Sequence, residues 1–329
     1  MSSQLQDSFG RKVTYLRLSV TDRCDFRCTY CMAEKMHFLP RAEILSLEEC
    51  LTVAKVFASL GVDKIRLTGG EPLVRRDFVW LAARVRELPG LRELALTSNG
   101  SRLGELAAPL KDAGMDRVNI SLDSLVADTF RRITRVGDLH RVLAGIDAAI
   151  AAWGSRRVKL NTVLLRGVNH HELLDLVGFA LERGVDISFI EQMPLGETGY
   201  RRAASYLGND EAMAQLRTAF ELIPSTETTG GPARYCRIPG HESRIGFISP
   251  HSRNFCSDCN RMRVTARGEL FSCLGSETMV DLLPAVRAGD EAGVRELILG
   301  AVAAKPQAHH FDLSLPRANV MRFMSRTGG

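Results

Sequence analysis

Two groups of three cysteines are the residues of this sequence best suited to chemistry. They are Cys24, Cys28 and Cys31, with the spacing C-x₃-C-x₂-C, and Cys256, Cys259 and Cys273 in FCSDCNRMRVTARGELFSC. A structural zinc site needs four ligands, and disulfides need an even number of cysteines. Three thiolates can instead bind a [4Fe–4S] cluster and leave one iron open to another ligand. Zinc is the alternative for the first group, with His37 as its nearest fourth ligand.

A glycine pair is a second feature that could serve the first cysteine group. Gly69 and Gly70 lie in LTGGEP at the end of a predicted strand, and Glu71 follows them. Glycines at this position let a backbone carbonyl approach a ligand closely, here as an acceptor for an ammonium group. Taken alone, a Gly-Gly pair more often marks a turn.

Several basic residues occupy positions where they could bind an anionic ligand. Arg17 and Arg66 lie within predicted strands, where an inward charge is costly unless a ligand compensates it. Lys159 lies among apolar neighbours in another strand. Arg261 and Arg263 alternate, so both can face the same side of an extended segment. Arginine suits phosphate because its planar guanidinium can hold two oxygens at once, although each residue taken singly is more often on the surface.

These residues are distributed over an alternating pattern of strands and helices. The predicted strands are 13–20, 64–68, 93–97, 117–122, 158–165 and 186–190. The clearest helix start is the capping box of Ser46 and Glu49, and further helices follow Asp77 and Asn169. The alternation predicts βαβ units and a parallel sheet, either doubly wound or a full or partial barrel. In both cases we expect functional residues at the carboxyl ends of the strands.

The character of the sequence changes after about residue 195. Gly, Pro and Thr become frequent, as in PSTETTGGPARYCRIPG, and the hydrophobic periodicity weakens. We therefore predict one domain over residues 8–225 and a smaller, irregular α+β domain over 226–329. A single helix is predicted over 279–304.

The bulk composition is that of a globular protein with an ordinary core. The chain has 329 residues, of which 45% are hydrophobic, and a formal net charge of +5. We expect a cytoplasmic protein, since no segment has the length of a signal peptide or a membrane span. Clustered cysteines then favour metal binding over disulfides, and the mild, scattered positive charge does not support nucleic-acid binding.

The first cysteine group, followed by Met32, resembles the signature of the radical S-adenosylmethionine (SAM) superfamily. In that superfamily the three cysteines bind a [4Fe–4S] cluster whose open iron chelates SAM. The resemblance places Tyr30 beside the adenine and the glycine pair at the SAM amino group, supported by Glu71. It also implies reductive cleavage of SAM to a 5′-deoxyadenosyl radical.

Longer segments resemble one family, the GTP 3′,8-cyclases, also called molybdenum cofactor biosynthesis protein A. They include LRLSVTDRCDFRCTYCM, KIRLTGGEPLVRRDF, VNISLDSL, VKLNTVLLRGVN, FIEQMPLG and CNRMRVTARGELFSCL. The segment CMAEKMHFLP lacks the Pro and Gly often found there, and TGG replaces a more usual Ile-Gly-Gly end. The resemblance implies an incomplete (β/α)₆ TIM-type barrel and a C-terminal domain with a second [4Fe–4S] cluster, bound by the second cysteine group.

The same resemblance implies a reaction and its residues. The radical abstracts the ribose 3′ hydrogen of GTP, the C3′ radical attacks guanine C8, and reduction of the cyclised radical by one electron with uptake of a proton gives 3′,8-cyclo-7,8-dihydro-GTP, the first step of molybdenum cofactor biosynthesis. The guanine base binds the open iron of the second cluster. The implied GTP contacts are Arg17, Arg66, Thr97, Lys159, Arg261, Met262 and Arg263. The implied SAM contacts are Tyr30, Gly69, Gly70, Glu71, Ser121 and Met193. The implied catalytic residues are Arg17, Arg261, Arg263 and the tail residues Gly328 and Gly329.

The resemblance also implies partners, and two other functions compete with it. The partners are a flavodoxin- or ferredoxin-type electron donor and the cyclic pyranopterin monophosphate synthase that takes the product. The chain would act as a monomer or homodimer, without nucleic acid or membrane. The competing functions are another two-cluster radical SAM enzyme that modifies a peptide and a zinc-stabilised nucleic-acid-binding protein. The first gives no reason for Arg261 and Arg263 between the cysteines, and the second predicts a colourless protein that contains zinc.

Overall fold

The computed structural model describes residues 5–198, 202–313, 315, 318 and 320–328. The first half of the chain forms the six predicted strands, with ends that differ from the prediction by at most two residues. They are β1 (Tyr15–Ser19), β2 (Lys64–Thr68), β3 (Glu93–Ser98), β4 (Arg117–Ser121), β5 (Val158–Val163) and β6 (Asp186–Ile190). Each pairs in parallel with the next. The predicted α/β class with a large parallel sheet is confirmed.

Helices connect these strands and cover the outer face of the sheet. They are α1 (Leu47–Ser59), α2 (Phe78–Arg86), α3 (Leu103–Asp112), α4 (Ala127–Thr134), α5 (Leu139–Trp153) and α6 (Leu173–Glu182). The predicted capping box begins α1: the Glu49 amide donates to Ser46 Oγ at 3.1 Å, and the Ser46 amide donates to the Glu49 carboxylate at 2.7 Å. Outward-facing strand residues such as Leu16, Ile65 and Leu160 are fully buried beneath these helices.

The last third of the chain extends this sheet at both edges. Its strands are β7 (Ile223–Ser225), β8 (Arg234–Arg237), β9 (Arg244–Ile248), β10 (Arg261–Val264), β11 (Glu269–Phe271) and β12 (Val280–Asp281). β9 pairs in parallel with β6, and β10 pairs in parallel with β1. The strand order within the described residues is therefore β12-β11-β10-β1-β2-β3-β4-β5-β6-β9-β8-β7. The inner face curves around a cavity lined by residues of β1 to β6, β9 and β10, as in an incomplete barrel.

The remaining helices are short or interrupted. They are α7 (Arg202–Ser205), α8 (Asn209–Leu216), α9 (Leu283–Arg287), α10 (Glu291–Ala303) and α11 (Met324–Thr327). The prediction of one helix over 279–304 is wrong, because β12 occupies its start and Gly289, at φ +69°, separates α9 from α10. Asp290 then caps α10, its carboxylate accepting a hydrogen bond from the Gly293 amide at 2.8 Å.

Two cysteines belong to neither of the two cysteine groups. Cys50 on α1 is fully buried in the hydrophobic core, as predicted, and Cys236 on β8 packs in the same core.

Among the helices of the described segments, none combines the length and apolar character that a membrane crossing requires.

Candidate active site

Alternate residues of the central strands point into the cavity, and most of them are polar. They are Tyr15, Arg17, Lys64, Arg66, Thr97, Arg117, Asn119, Lys159 and Asn161. The parallel register places Arg66, Arg17 and Arg263 side by side on β2, β1 and β10. Because side chains in register lie on the same face of a sheet, three guanidinium groups share one wall of the cavity.

This arginine row carries uncompensated positive charge. Burial, together with the neighbouring charges of Arg66 and Arg261, lowers the pKa of Arg17 to about 10, although Tyr15 acts in the opposite direction. Burial also lowers the pKa of Arg263 well below its usual value, with Arg17 and Arg261 adding to the effect. Arg17 Nε has no hydrogen-bond partner within the described part of the chain. A polyanion would relieve both the repulsion and the missing hydrogen bonds.

Arg66 is held in place by neighbours on both sides. Its Nε donates to the Tyr15 hydroxyl at 2.5 Å, and its Nη1 donates to the Leu96 carbonyl at 2.7 Å and to Thr97 Oγ1 at 3.2 Å. Burial alone would raise the pKa of Tyr15, but the charges of Arg66, Arg17 and Lys64 lower it to about 7. The arginine is therefore fixed in orientation before any ligand arrives.

Lys159 supplies a cation on the opposite wall. Its Nζ donates to the Tyr235 hydroxyl at 2.8 Å and lies 5.0 Å from the centre of that ring. Burial, followed by the charge of Arg117, lowers the pKa of Lys159 to about 7. The charge of this residue is thus sensitive to any anion that enters the cavity.

The first cysteine group lines a second cavity at the carboxyl end of β1. Cys24, Cys28 and Cys31 lie there with the predicted SAM contacts Tyr30, Gly69, Gly70, Ser121 and Met193. The cysteine loop is anchored to the end of α4, where the Arg27 and Thr29 amides donate to the Thr134 and Ile133 carbonyls at 2.9 Å each. This anchoring sets the position of the thiols independently of any ligand.

The chemistry of these thiols fits a metal cluster. Burial raises the pKa of all three, and nearby carboxylates contribute in the same direction, Glu71 at Cys24 and Asp123 at Cys28 and Cys31; the pKa of Cys31 is about 12. Thiols in such surroundings lose their protons only next to a positive centre. In the described residues, no three or more His, Cys, Asp or Glu side chains converge on a point where one metal ion could bind, so the fit of this group to a cluster rests on the chemistry of its thiols and not on their spacing.

The glycine pair and Glu71 shape this cavity through the backbone. A Cβ at Gly69 or Gly70 would overlap backbone oxygens of Thr21 and Arg23, just before the cysteine loop. Glu71 is fully buried and accepts hydrogen bonds from the Leu73 amide at 3.0 Å, Ser98 Oγ at 2.9 Å and the Asn99 amide at 2.6 Å. Burial nevertheless raises its pKa to about 8. Glu71 therefore holds three loops together and does not line the cavity.

The second cysteine group lies at the other end of the barrel. Cys256 and Cys259 precede β10, which is parallel to β1, so they lie at the amino ends of these strands, and Cys273 joins them in the cavity lining. Burial alone would raise the pKa of Cys259, but Arg261 and Lys305 lower it to about 7. Arg261 Nη2 lies 3.8 Å from Cys259 Sγ. Cations thus surround this group, whereas carboxylates adjoin the first.

The C-terminal tail enters the site between the two cysteine groups. Arg263 Nη1 donates to the Gly328 carbonyl at 2.8 Å. The Ser325 amide hydrogen-bonds to Cys31 and lowers its pKa against the effect of burial. Met324 lines both cavities, while the predicted tail residue Gly329 lies outside the described residues.

The two cavities adjoin and form one interior space. Both are lined by Thr97, Asn161, Ile190, Met193 and Met324. The first cysteine group closes this space at the carboxyl ends of the strands, and the second lies near their amino ends. The expectation that functional residues lie at the carboxyl ends therefore holds for the first group and is wrong for the second.

The predicted contacts and the observed lining differ in a few residues. The Met262 side chain is fully buried in the hydrophobic core, on the face opposite Arg261 and Arg263, so only its backbone can reach a ligand. Sequence reasoning missed the following lining residues: Lys64, Arg117, Asn119, Asn161 and His309. The alternation of polar and apolar residues in KIRLT and RVNIS is the signal that could have identified the strand residues.

Comparison with known proteins assigns the chain to a family. Residues 18–180 match the radical SAM superfamily, and residues 185–311 match the family Molybdenum Cofactor Synthesis C. A GTP 3′,8-cyclase of Pseudomonas putida is 56% identical over 332 residues, covering 100% of this chain and 99% of that protein. One from Saccharophagus degradans is 52% identical, with coverage of 100% and 99%.

A solved structure supports the fold independently. Streptococcus suis SuiB bound to S-adenosylmethionine superposes with a TM-score of 0.61 at 14% identity, over 87% of this chain and 68% of that one. At this identity the likeness concerns the fold alone. The relatives match the whole length of the sequence at more than half identity, and both cysteine groups lie around one cation-lined space. The chain belongs to the GTP 3′,8-cyclase family of the radical SAM superfamily.

Proposed function

We propose that this protein converts GTP to 3′,8-cyclo-7,8-dihydro-GTP, the first step of molybdenum cofactor biosynthesis. Its relatives carry the name of that activity. The observation that carries the proposal here is the in-register row of Arg66, Arg17 and Arg263 inside a space bounded by two cysteine groups. Buried guanidinium groups without counterions are costly, and a triphosphate compensates them.

Membership in the radical SAM superfamily implies a [4Fe–4S] cluster and SAM. We assign the cluster to Cys24, Cys28 and Cys31, and SAM to the residues that line the same cavity: Tyr30, Gly69, Gly70, Ser121 and Met193. Glu71 would support the glycine pair from outside the cavity. A second [4Fe–4S] cluster, bound by Cys256, Cys259 and Cys273, would take the guanine base at its open iron. Together these groups would supply hydrogen-atom abstraction and a Lewis-acidic anchor for the base.

The chain's own residues would orient GTP and exclude water. The proposed GTP contacts are Arg17, Arg66, Thr97, Lys159, Arg261, Arg263 and the backbone of Met262. Arg17, Arg261 and Arg263 line the larger, cation-rich cavity and would hold the nucleotide with its ribose towards the adjoining cavity of the first cysteine group. The tail through Gly328 and Gly329 would close the site, consistent with the hydrogen bond from Arg263 to Gly328.

Several wider assignments follow from the same proposal. We place a partial-barrel domain over residues 8–225 and a second-cluster domain over 226–329. The enzyme would work in the cytoplasm as a monomer or homodimer, with electrons from a flavodoxin- or ferredoxin-type protein. Its product would pass to cyclic pyranopterin monophosphate synthase.

The proposal is tested with anaerobically reconstituted protein, SAM, a strong reductant and GTP deuterated at the ribose 3′ position. We expect a cyclised product that has lost the 3′ deuterium and has the mass of unlabelled GTP. We also expect 5′-deoxyadenosine that has gained one deuterium. Mass spectrometry of both products makes the measurement. Deoxyadenosine without deuterium and without a GTP-derived product would reject the proposal and favour a different substrate.

A further inference from the structure

Arg117, the first residue of β4, is a buried cation without a partner. Its exposed fraction is 8%, and its Nε has no hydrogen-bond partner within the described residues. Burial lowers its pKa, and the charge of Arg66 adds to this effect. A guanidinium in this state is unfavourable in the ligand-free protein, so an anionic ligand is the expected compensation.

The nearest carboxylates, Glu93 and Asp186, raise the pKa of Arg117 but do not offset its burial, because other cations already hold them. Glu93 pairs with Lys64 at 2.9 Å. Asp186 pairs with Arg244 at 2.6 Å and also accepts the Arg244 amide at 2.9 Å. Arg117 is therefore surplus positive charge at the amino ends of the strands.

The position of Arg117 relates it to the rest of the cavity. Ser121, Asn119 and Arg117 lie on the same face of β4, and Ser121 lines the cavity of the first cysteine group. Arg117 lies about 13 Å further along the strand, at the spacing of extended residues. It also lines a cleft at the amino ends of the strands, which it shares with Lys64 and Thr229. Of the inward side chains of β4, Arg117 is the most distant from the first cysteine group.

We infer that Arg117 binds the terminal phosphate of the nucleotide and makes the enzyme select a triphosphate over a diphosphate. The inference rests on the proposed function: with the base at the second cysteine group and the ribose towards the first, the phosphates extend along β2, β4 and β5. Arg66 and Lys159 line this path, and Arg117 lies at its end. A bound diphosphate would leave Arg117 buried and unpaired. A binding site discriminates most strongly against an analogue that leaves a buried polar group of the site unpaired.

Equilibrium binding of GTP and GDP to the cluster-loaded enzyme, without reductant and therefore without turnover, tests the inference. We expect the wild-type protein to bind GTP more tightly than GDP. The substitution Arg117→Met should weaken GTP binding roughly 10- to 100-fold and leave GDP binding nearly unchanged. Arg117→Lys should restore part of the GTP preference, because it restores the charge without the planar guanidinium.

A matched control uses a second arginine at the same end of the barrel. Arg157 is exposed and lines only the outer cleft, so Arg157→Met should leave the ratio of GTP to GDP affinity unchanged. Loss of GTP preference in both variants would indicate general electrostatics and would overturn the assignment to Arg117.

Thermal unfolding separates a binding role from a structural one. Removal of an unpaired buried charge should leave the midpoint temperature of thermal unfolding of the nucleotide-free protein unchanged or raise it. The increase in this temperature on addition of GTP should become smaller. A lower midpoint without nucleotide in both Arg117→Met and Arg117→Lys would indicate a structural role and reject the inference.

A wild-type protein that does not bind GTP would reject the proposed function itself. GTP binding with an unchanged GTP-to-GDP ratio in Arg117→Met would reject the inference alone.

Discussion

At the scale of single residues, Lys159 and Tyr15 in the cavity have pKa values near neutral pH. Burial and the charge of Arg117 lower the pKa of Lys159 to about 7. The pKa of Tyr15 is also about 7, because Arg66, Arg17 and Lys64 outweigh the effect of burial. Phosphate groups nearby favour the protonated form of both residues, so nucleotide binding and proton binding are coupled.

We predict that GTP binding takes up protons above pH 7. Lys159 is largely neutral there in the free protein, and the triphosphate raises its pKa, so GTP affinity should fall as pH rises through about 7. Calorimetric titrations at pH 8 in buffers of different ionisation enthalpy measure the uptake directly. Lys159→Arg should remove the proton uptake due to the lysine, and Tyr15→Phe should remove the proton uptake due to the tyrosine. An enthalpy independent of the buffer in the wild-type protein would contradict the prediction.

At the scale of secondary-structure elements, the short helix α11 brings Gly328, the residue that follows it, into the site. Gly328 has φ +76°, and a Cβ there would overlap the Thr68 side chain on β2. The same residue accepts the hydrogen bond of Arg263. The tail therefore needs glycine for two independent reasons, its conformation and its proximity to the barrel wall.

We predict that Gly328→Ala displaces the tail and lowers kcat/KM for GTP by about tenfold or more, because the arginine row loses its backbone acceptor. Gly300→Ala is the matched control. Gly300 lies in α10, and a Cβ there would meet no atom within 4 Å, so this change should leave kcat/KM intact and stabilise the protein by about 0.5–1 kcal/mol. Steady-state kinetics and thermal unfolding measure both effects. Wild-type kinetics in Gly328→Ala would show that the tail position is not needed for turnover.

The elements also show which parts of the fold a sequence can predict. Local patterns identified the first six strands, β1 to β6, and the capping box of α1, since alternation and capping depend on neighbouring residues. Residues 279–304 were misread because their apolar content suggested one helix, whereas Gly289 and Asp290 end one helix and begin another. The place of the second cysteine group was also misjudged. It depends on the pairing of β10 with β1, and the contact between Asn260 and Thr14 in this region joins residues 246 positions apart.

At the scale of the whole molecule, the two cysteine groups occupy electrostatically different ends of one space. Carboxylates such as Glu71 and Asp123 adjoin the first group, and Arg261 and Lys305 adjoin the second. Two separate metal centres with separate tasks would explain this division. The division at residue 225 between two domains stays a prediction.

We predict about eight irons per chain in the reconstituted protein, as two [4Fe–4S] clusters require, and about four in Cys256→Ser. The variant should still cleave SAM, because the first cysteine group is intact, but should lose GTP cyclisation. Iron and sulfide analysis with product assays makes the measurement. Cys236→Ser is the control: Cys236 packs in the hydrophobic core, and its substitution should leave the iron content unchanged. Normal cyclisation by Cys256→Ser would contradict the assignment of the second centre.

The strand order has a consequence for how the protein is made. β1 and β6 each leave a sheet edge unpaired until β10 and β9 are synthesised, and the last third of the chain supplies both. Until then the ribosome-bound chain exposes two edges that invite pairing with other chains, and closing such long loops is slow. The cysteine loop after β1 is accessible throughout this interval. We therefore expect the barrel interior to be enclosed late in folding, and early release of the chain before β9 to cause aggregation.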